Sequence, residues 1–182
     1  MPAEVDHHRM KLPLASKASA SPDFVWFVYG SSLDREAFAA WAAEHGYAMP
    51  SFRGARRALL LGYRLAFDVV SRSWGGAVAS LAPSPGDFVE GLAVPMPGAS
   101  RALADHKEGA ASGLYEAIEV QLTPADGGPP IAAIAYRGAR SRRLASDAAP
   151  SAAYLGVLLR GARSSGLSDA WVARVESLAA GR

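Results

Sequence analysis

Phe24-Val25-Trp26-Phe27-Val28-Tyr29-Gly30-Ser31-Ser32-Leu33 is the stretch that decides how this chain folds. Six aromatic or β-branched residues in a row read as a buried strand. The run breaks at Gly30, and from Leu33 the period changes. Leu33, Ala37, Phe38, Trp41 and Ala42 recur at helical spacing among Asp34, Arg35, Glu36 and Glu44, and Gly46 follows as a stop. Ser32 is the expected N-cap, and Asp34 suits the positive end of the helix. A strand that turns into a helix through Gly-Ser-Ser leaves a tight loop of free backbone N–H groups. Such a loop can cradle an anion or an oxyanion.

Further along, one acid stands in an unusual setting. Glu108 lies in His106-Lys107-Glu108-Gly109, just before Ser112-Gly113-Leu114-Tyr115. Ser100 to Lys107 reads as a short helix capped by Ser100 and stopped by Gly109, which delivers Glu108 at its C-terminal end. Lys107 is expected to point to water. An isolated acid and an N–H-rich loop together can move a proton and hold a negative oxygen.

Between and beyond these two segments the pattern is mostly short strands. Ala58–Phe67, Ala77–Ala82 and Val89–Val94 read as strands, with Pro83-Ser84-Pro85-Gly86-Asp87 as a turn between the last two. Tyr115–Thr123 alternates with period two, and Ile131–Tyr136 returns as its hairpin partner. Helices are expected from about Ser151 to Arg163 and from Ser168 to about Ala180, the second carrying Trp171, Val172, Val175 and Leu178 on one face. Trp41 and Trp171 read as core. Consecutive strands with few helical crossovers favour an α+β fold: a small mixed, mostly antiparallel β-barrel with helices around it.

Composition narrows the function. The chain has 182 residues, half of them hydrophobic, and a net charge of +2. That charge is too small to argue for a nucleic-acid partner. There are no cysteines, which excludes disulfides, thiolate zinc sites and a cysteine nucleophile and fits a cytoplasmic setting. No apolar run approaches the roughly 20 residues of a membrane helix. Met1–Pro22 reads as a disordered leader, with His7 and His8 uninvolved, and 23–182 as one domain. The sequence is silent on oligomeric state.

Several motifs, in order, resemble the γ-glutamyl cyclotransferase-like superfamily. Tyr29-Gly30-Ser31-Ser32-Leu33 resembles its Tyr-Gly-Ser-Asn-Leu signature, with Ser32 in place of the asparagine. Gly62–Phe67 is similar to its second strand, and Ser73-Trp74-Gly75-Gly76-Ala77-Val78-Ala79 to its Trp-X-Gly-Gly-X-Ala stretch. Pro83–Gly91 resembles its Ser-Pro-Gly turn. Asp105–Gly109 with Ser112–Val120 resembles its Asp-X-X-Glu-Gly and Gly-X-Tyr segment, and Ala149–Tyr154, Gly161-Ala162 and Gly166-Leu167 its last helices.

The resemblance implies a β-barrel and a reaction without metal or cofactor. A small-molecule γ-glutamyl amide closes on itself, releasing 5-oxoproline and an amine. It also implies Glu108 as general acid and base, with Tyr29, Gly30, Ser31, Ser32, Leu33, Tyr115 and Tyr136 around the substrate, and Tyr154 as a weaker candidate. The amine side is expected to be walled by loops such as Arg53–Arg57, Ser71–Trp74 and Arg137–Arg143. The alternatives are removal of a γ-glutamyl protecting group from a biosynthetic intermediate, and a module that only binds a ligand or partner. His106, near Asp105, reads as exposed; no serine stands in a nucleophile context for a triad.

Overall fold

The computed structural model describes residues 23–181. The expected leader, with His7 and His8, lies outside the described residues. Five strands form the frame: β1 (Phe24–Val28), β2 (Arg56–Ser71), β3 (Gly76–Met96), β4 (Tyr115–Pro124) and β5 (Ile131–Gly138). They close into a barrel in the order β1-β3-β2-β4-β5. Paired strands are antiparallel except β1 and β5, which meet in parallel at Trp26 and Ile134. Four helices complete the fold: α1 (Arg35–Glu44), α2 (Arg101–Lys107), α3 (Ala152–Ser164) and α4 (Asp169–Ala180). This is the α+β, mostly antiparallel barrel that the strand pattern predicts.

The buried strand is real, and both faces of β1 are used. Trp26, Phe27 and Val28 are buried. The Trp26 ring meets Phe38 of α1 edge-on at 5.9 Å and Tyr136 of β5 at 6.2 Å. In β4 the alternation holds from Ala117 onward, with Val120 and Leu122 buried and Glu119 and Gln121 exposed. Tyr115, at the start of the strand, is buried as well.

Pro83–Asp87 does not separate two strands. β3 runs through it for 21 residues. The register moves from Leu61↔Phe88 to Tyr63↔Pro83, so residues 84–87 bulge opposite Gly62 alone. Gly62 and Gly86 take φ of +78° and +88° to make the bend, and Ser84 Oγ donates to the Asp87 carboxylate at 2.6 Å. Turn-forming residues here bend a long hairpin; they do not end a strand.

Helix caps follow the sequence with two corrections. Ser168, read from the sequence as a cap, accepts from Trp171 N–H, and Ser151, at the expected start of its helix, accepts from Tyr154 N–H. Ser32 is not a cap, because Ser31–Leu33 forms a 3-10 turn first and Asp34 Oδ1 caps α1 by accepting from Ala37 N–H at 3.0 Å. Ser100 makes no side-chain cap; a 3-10 turn over Gly98–Ser100 leads into α2.

α3 presses directly on the 31–34 turn. A Cβ on Gly161 would lie 2.4 Å from the Asp34 nitrogen and 2.7 Å from the Leu33 carbonyl carbon. Arg160 reaches Asp34 Oδ2 at 2.8 Å, and Ser165 Oγ donates to the Leu33 carbonyl at 3.2 Å. No rotamer change relieves a backbone clash, so Gly161→Ala must push the helix off the turn. The expected cost is about 1–3 kcal/mol of unfolding free energy, as for other overpacked sites, measured by urea denaturation. An alanine variant as stable as wild type contradicts this packing.

Candidate functional site

The turn braced by α3 is met on its other side by Glu108. Glu108 is the C-terminal cap of α2, its N–H bonded to the Ala104 carbonyl at 3.0 Å. Gly109, at φ +64°, ends the helix there and lets the chain turn toward β4. Ser32 Oγ donates to Glu108 Oε1 at 3.2 Å, joining positions 76 apart in sequence. The serine in the place of the signature asparagine is thus a direct partner of the acid.

Beside this contact lies a cavity of about 490 Å³. Its walls come from the end of β1 (Trp26 to Tyr29), the Gly30–Ser31 turn, one face of α1, the Ser71–Trp74 turn with Val78 and Ala79 of β3, and Lys107, Glu108, Leu114, Tyr115, Tyr136 and Tyr154. The expected residues Tyr29, Gly30, Ser31, Glu108, Tyr115 and Tyr136 therefore come together. Ser32 and Leu33 do not line the hollow. Leu33 is wholly buried in the core beneath α3, and Ser32 faces the acid.

The N–H cradle is smaller than the sequence implies. Leu33 N–H bonds the Gly30 carbonyl at 3.0 Å and Asp34 N–H bonds the Ser31 carbonyl at 3.1 Å. The N–H groups of Gly30, Ser31 and Ser32 stay outside the turn's own hydrogen bonds; Gly30 and Ser31 line the cavity, and the Ser31 backbone also reaches the Tyr154 hydroxyl.

The tyrosine hydroxyls are tied into the scaffold. Tyr29 donates to the Tyr136 carbonyl, Tyr115 to the Ala79 carbonyl and Tyr136 to the Asp105 carboxylate. Tyr154 differs: its oxygen accepts from Ala79 N–H at 2.9 Å, and no acceptor takes its proton among the described residues. Its hydroxyl sits 3.7 Å from where a Gly30 Cβ would be, beside the cradle. Burial raises the pKa of all four phenols, so they stay neutral.

Burial also pushes the Glu108 carboxyl above the ordinary glutamate range, with the Lys107 charge and the Ser32 hydrogen bond pulling partly back. Lys107 does not point to water. Its Nζ lies 5.1 Å from the Trp41 ring centre and 5.8 Å from that of Phe38. Trp41 is a cavity wall and only partly buried, stacked on His45 and Tyr47. Its helical stripe is real, but that stripe faces the hollow as well as the core. His106 is exposed as expected, its ring bonded to the Tyr47 hydroxyl at 3.1 Å. Of the three expected loops, only Ser71–Trp74 contributes walls; Arg56 pairs with Asp126, and Arg137 with Glu116.

Known proteins resemble this chain in sequence and fold. Residues 89–175 match the AIG2-like family. Human γ-glutamylcyclotransferase is 30% identical over 148 residues, spanning 79% of this chain and 72% of the human one. The chain belongs to the γ-glutamyl cyclotransferase-like (AIG2-like) superfamily. The mouse γ-glutamylcyclotransferase is 28% identical over 159 residues, 85% of this chain and 78% of its own. A solved γ-glutamyl cyclotransferase superposes with a TM-score of 0.70 at 26% identity, covering 85% of this chain and 86% of that one. YkqA of Bacillus subtilis shares the fold, with a TM-score of 0.72 at 22% identity over 86% of this chain and 54% of its own. No helix among the described residues of this superfamily member is long and apolar enough to cross a membrane.

The Ser32 contact generates a test. The hydrogen bond favours the charged carboxylate, so Ser32→Ala should move the Glu108 titration further upward from its already raised position. Carbon-13 NMR of the glutamate carboxyls against pH reads this directly. An unchanged or lower midpoint in the variant rules out a working contact.

Proposed function

We propose that this chain is a γ-glutamyl cyclotransferase. It closes the α-amine of a γ-glutamyl amide onto its γ-carbonyl and releases 5-oxoproline and a free amine. The observation that supports this most is the convergence of one part-buried carboxyl, Glu108, and one pair of cavity-facing peptide units, Gly30 and Ser31, on the same hollow.

The substrate supplies its own nucleophile, and five-membered closure is entropically cheap once the chain is held bent. The Glu108 carboxylate takes a proton from the α-ammonium. The freed nitrogen bonds the γ-carbonyl carbon, whose oxygen becomes negative and is held by N–H groups of the 30–31 turn. The ring nitrogen, cationic after the attack, sheds its second proton to solvent; the bond from carbon to the departing nitrogen then breaks, and the same carboxyl returns the first proton to the leaving amine. A carboxyl whose pKa burial raises above the ordinary glutamate value suits a group that must both take and give. Tyr29, Tyr115 and Tyr136 shape the walls around the glutamyl chain, and Tyr154 has a hydroxyl proton left to offer.

The test is a panel of γ-glutamyl amino acids and γ-glutamyl amines, with 5-oxoproline followed by mass spectrometry. Wild type should yield product, and Glu108→Gln should lose at least about a hundredfold in turnover, the usual scale of a lost general acid and base. Turnover near wild type in that variant would refute the assignment of Glu108. Product from a single bulky amine alone would point to removal of a protecting group, and none from any substrate to a binding module.

Stability gives a second readout on the same variant. The folded-state pKa of Glu108 is raised, so its contribution is most favourable below the ordinary glutamate value and is lost as pH rises through the folded value. Glutamine has no charge to bury. The melting temperature of Glu108→Gln relative to wild type should therefore climb with pH over that window. A difference that falls with rising pH contradicts burial of the charge.

A further inference from the structure

Lys107 is a lysine with an unused charge at the edge of the cavity. It lies next to the acid in sequence, and among the described residues it is the one cation that lines the cavity. Among the described residues its ammonium makes no hydrogen bond and no ion pair. The arginines are differently placed: Arg56, Arg57, Arg64, Arg101, Arg137, Arg160, Arg163 and Arg174 each face a carboxylate, and none lines the cavity. Lys107 is held instead over the faces of Trp41 and Phe38. Burial there disfavours its charge, and the nearby Glu108 favours it. A half-buried ammonium with aromatic faces on one side and an open hollow on the other has hydrogen-bonding capacity left for a ligand.

The proposed substrate brings the matching group. Every γ-glutamyl amide has an α-carboxylate, and a γ-glutamyl amino acid has a second carboxylate on its amine side. Either would enter a hollow that already holds Glu108, a like charge, and would be disfavoured there without a counter-charge. The loops Arg53–Arg57 and Arg137–Arg143, expected to wall the amine side, do not reach the cavity.

We propose that Lys107 is the carboxylate-binding cation of this site and that its ammonium pairs with a carboxylate of the substrate. The inference rests on the cyclotransferase reading. It differs from a role in tuning Glu108, which would alter the pH profile for every substrate and leave KM alone.

Two substrates that differ by one carboxylate decide the matter: γ-glutamylalanine and γ-glutamylethylamine. KM and kcat are measured on the pH plateau for wild type, Lys107→Met, which keeps an apolar stem over the rings, and Lys107→Arg. Binding of both compounds is measured by calorimetry in the Glu108→Gln background, with and without Lys107→Met, so that affinity is read independently of turnover. Loss of one hydrogen bond to a charged group predicts about a tenfold or greater rise in KM and Kd for Lys107→Met, largely recovered in Lys107→Arg. A rise for γ-glutamylalanine alone assigns the contact to the amine-side carboxylate; an equal rise for both assigns it to the glutamyl carboxylate. Unchanged KM and Kd for both compounds, or a shift confined to the pH profile, overturns the proposal. Absence of 5-oxoproline from wild type would sink the cyclotransferase reading, yet the calorimetry would still judge Lys107: equal affinity with and without the lysine, or no binding at all, overturns it.

Discussion

β1 closes the barrel, and the rest of the molecule depends on that closure. This five-residue strand pairs antiparallel with β3 from Phe24↔Met96 to Val28↔Leu92 and touches β5 in parallel at a single pair. Because successive side chains point to opposite faces, a slip of one residue would exchange Trp26 and Phe27 between the two sides and break both sets of contacts. Gly91 tightens the constraint: a Cβ there would stand 2.5 Å from the Val28 carbonyl oxygen. With the register held, the end of β1 can deliver Tyr29, Gly30 and Ser31 to one place only. α3 then braces the next turn from behind through Gly161 and Arg160.

The hollow at the end of β1 is chemically sparse. Its polar groups are two peptide units, one part-buried carboxyl, one ammonium on aromatic faces, the serines of the 71–73 turn, a glutamate on an exposed position of α1, and phenols mostly committed to the scaffold. Sparseness matters because every charge in a low-dielectric site acts strongly on the others. The part-buried Glu108 costs stability in its charged form, and the packing around it must sustain that cost. Such local conflict between stability and chemistry is common where a protein works on a ligand.

Much of this was legible from residue type and spacing. The aromatic run at Phe24 declared a strand, the period-two pattern after Ala117 a half-buried one, and Ser151 and Ser168 the starts of α3 and α4, because each signal is local and depends on neighbours within a few residues. The errors fell where a distant partner decides. The turn residues at 83–87 bend a strand, since β2 stays paired across them and carries its own irregularity at Gly62. Ser32 gave up the cap to Asp34 because a 3-10 turn intervenes, and its hydroxyl went to Glu108 instead. Lys107 and Trp41 each carry a pattern with two readings, and only the packing of α1 against the end of α2 selects between them.

The sequence by itself determined the strand or helix nature of most segments, the break at Gly30, the stop at Gly109 and membership of a superfamily, all of which follow from short-range stereochemistry and pattern. Only the tertiary structure decided that Ser32 meets Glu108, that the arginine loops stay outside the cavity and that Lys107 turns inward. Those outcomes depend on how the barrel closes and how helices settle on it. The geometry is set by contacts between residues tens of positions apart, and no local signal encodes it.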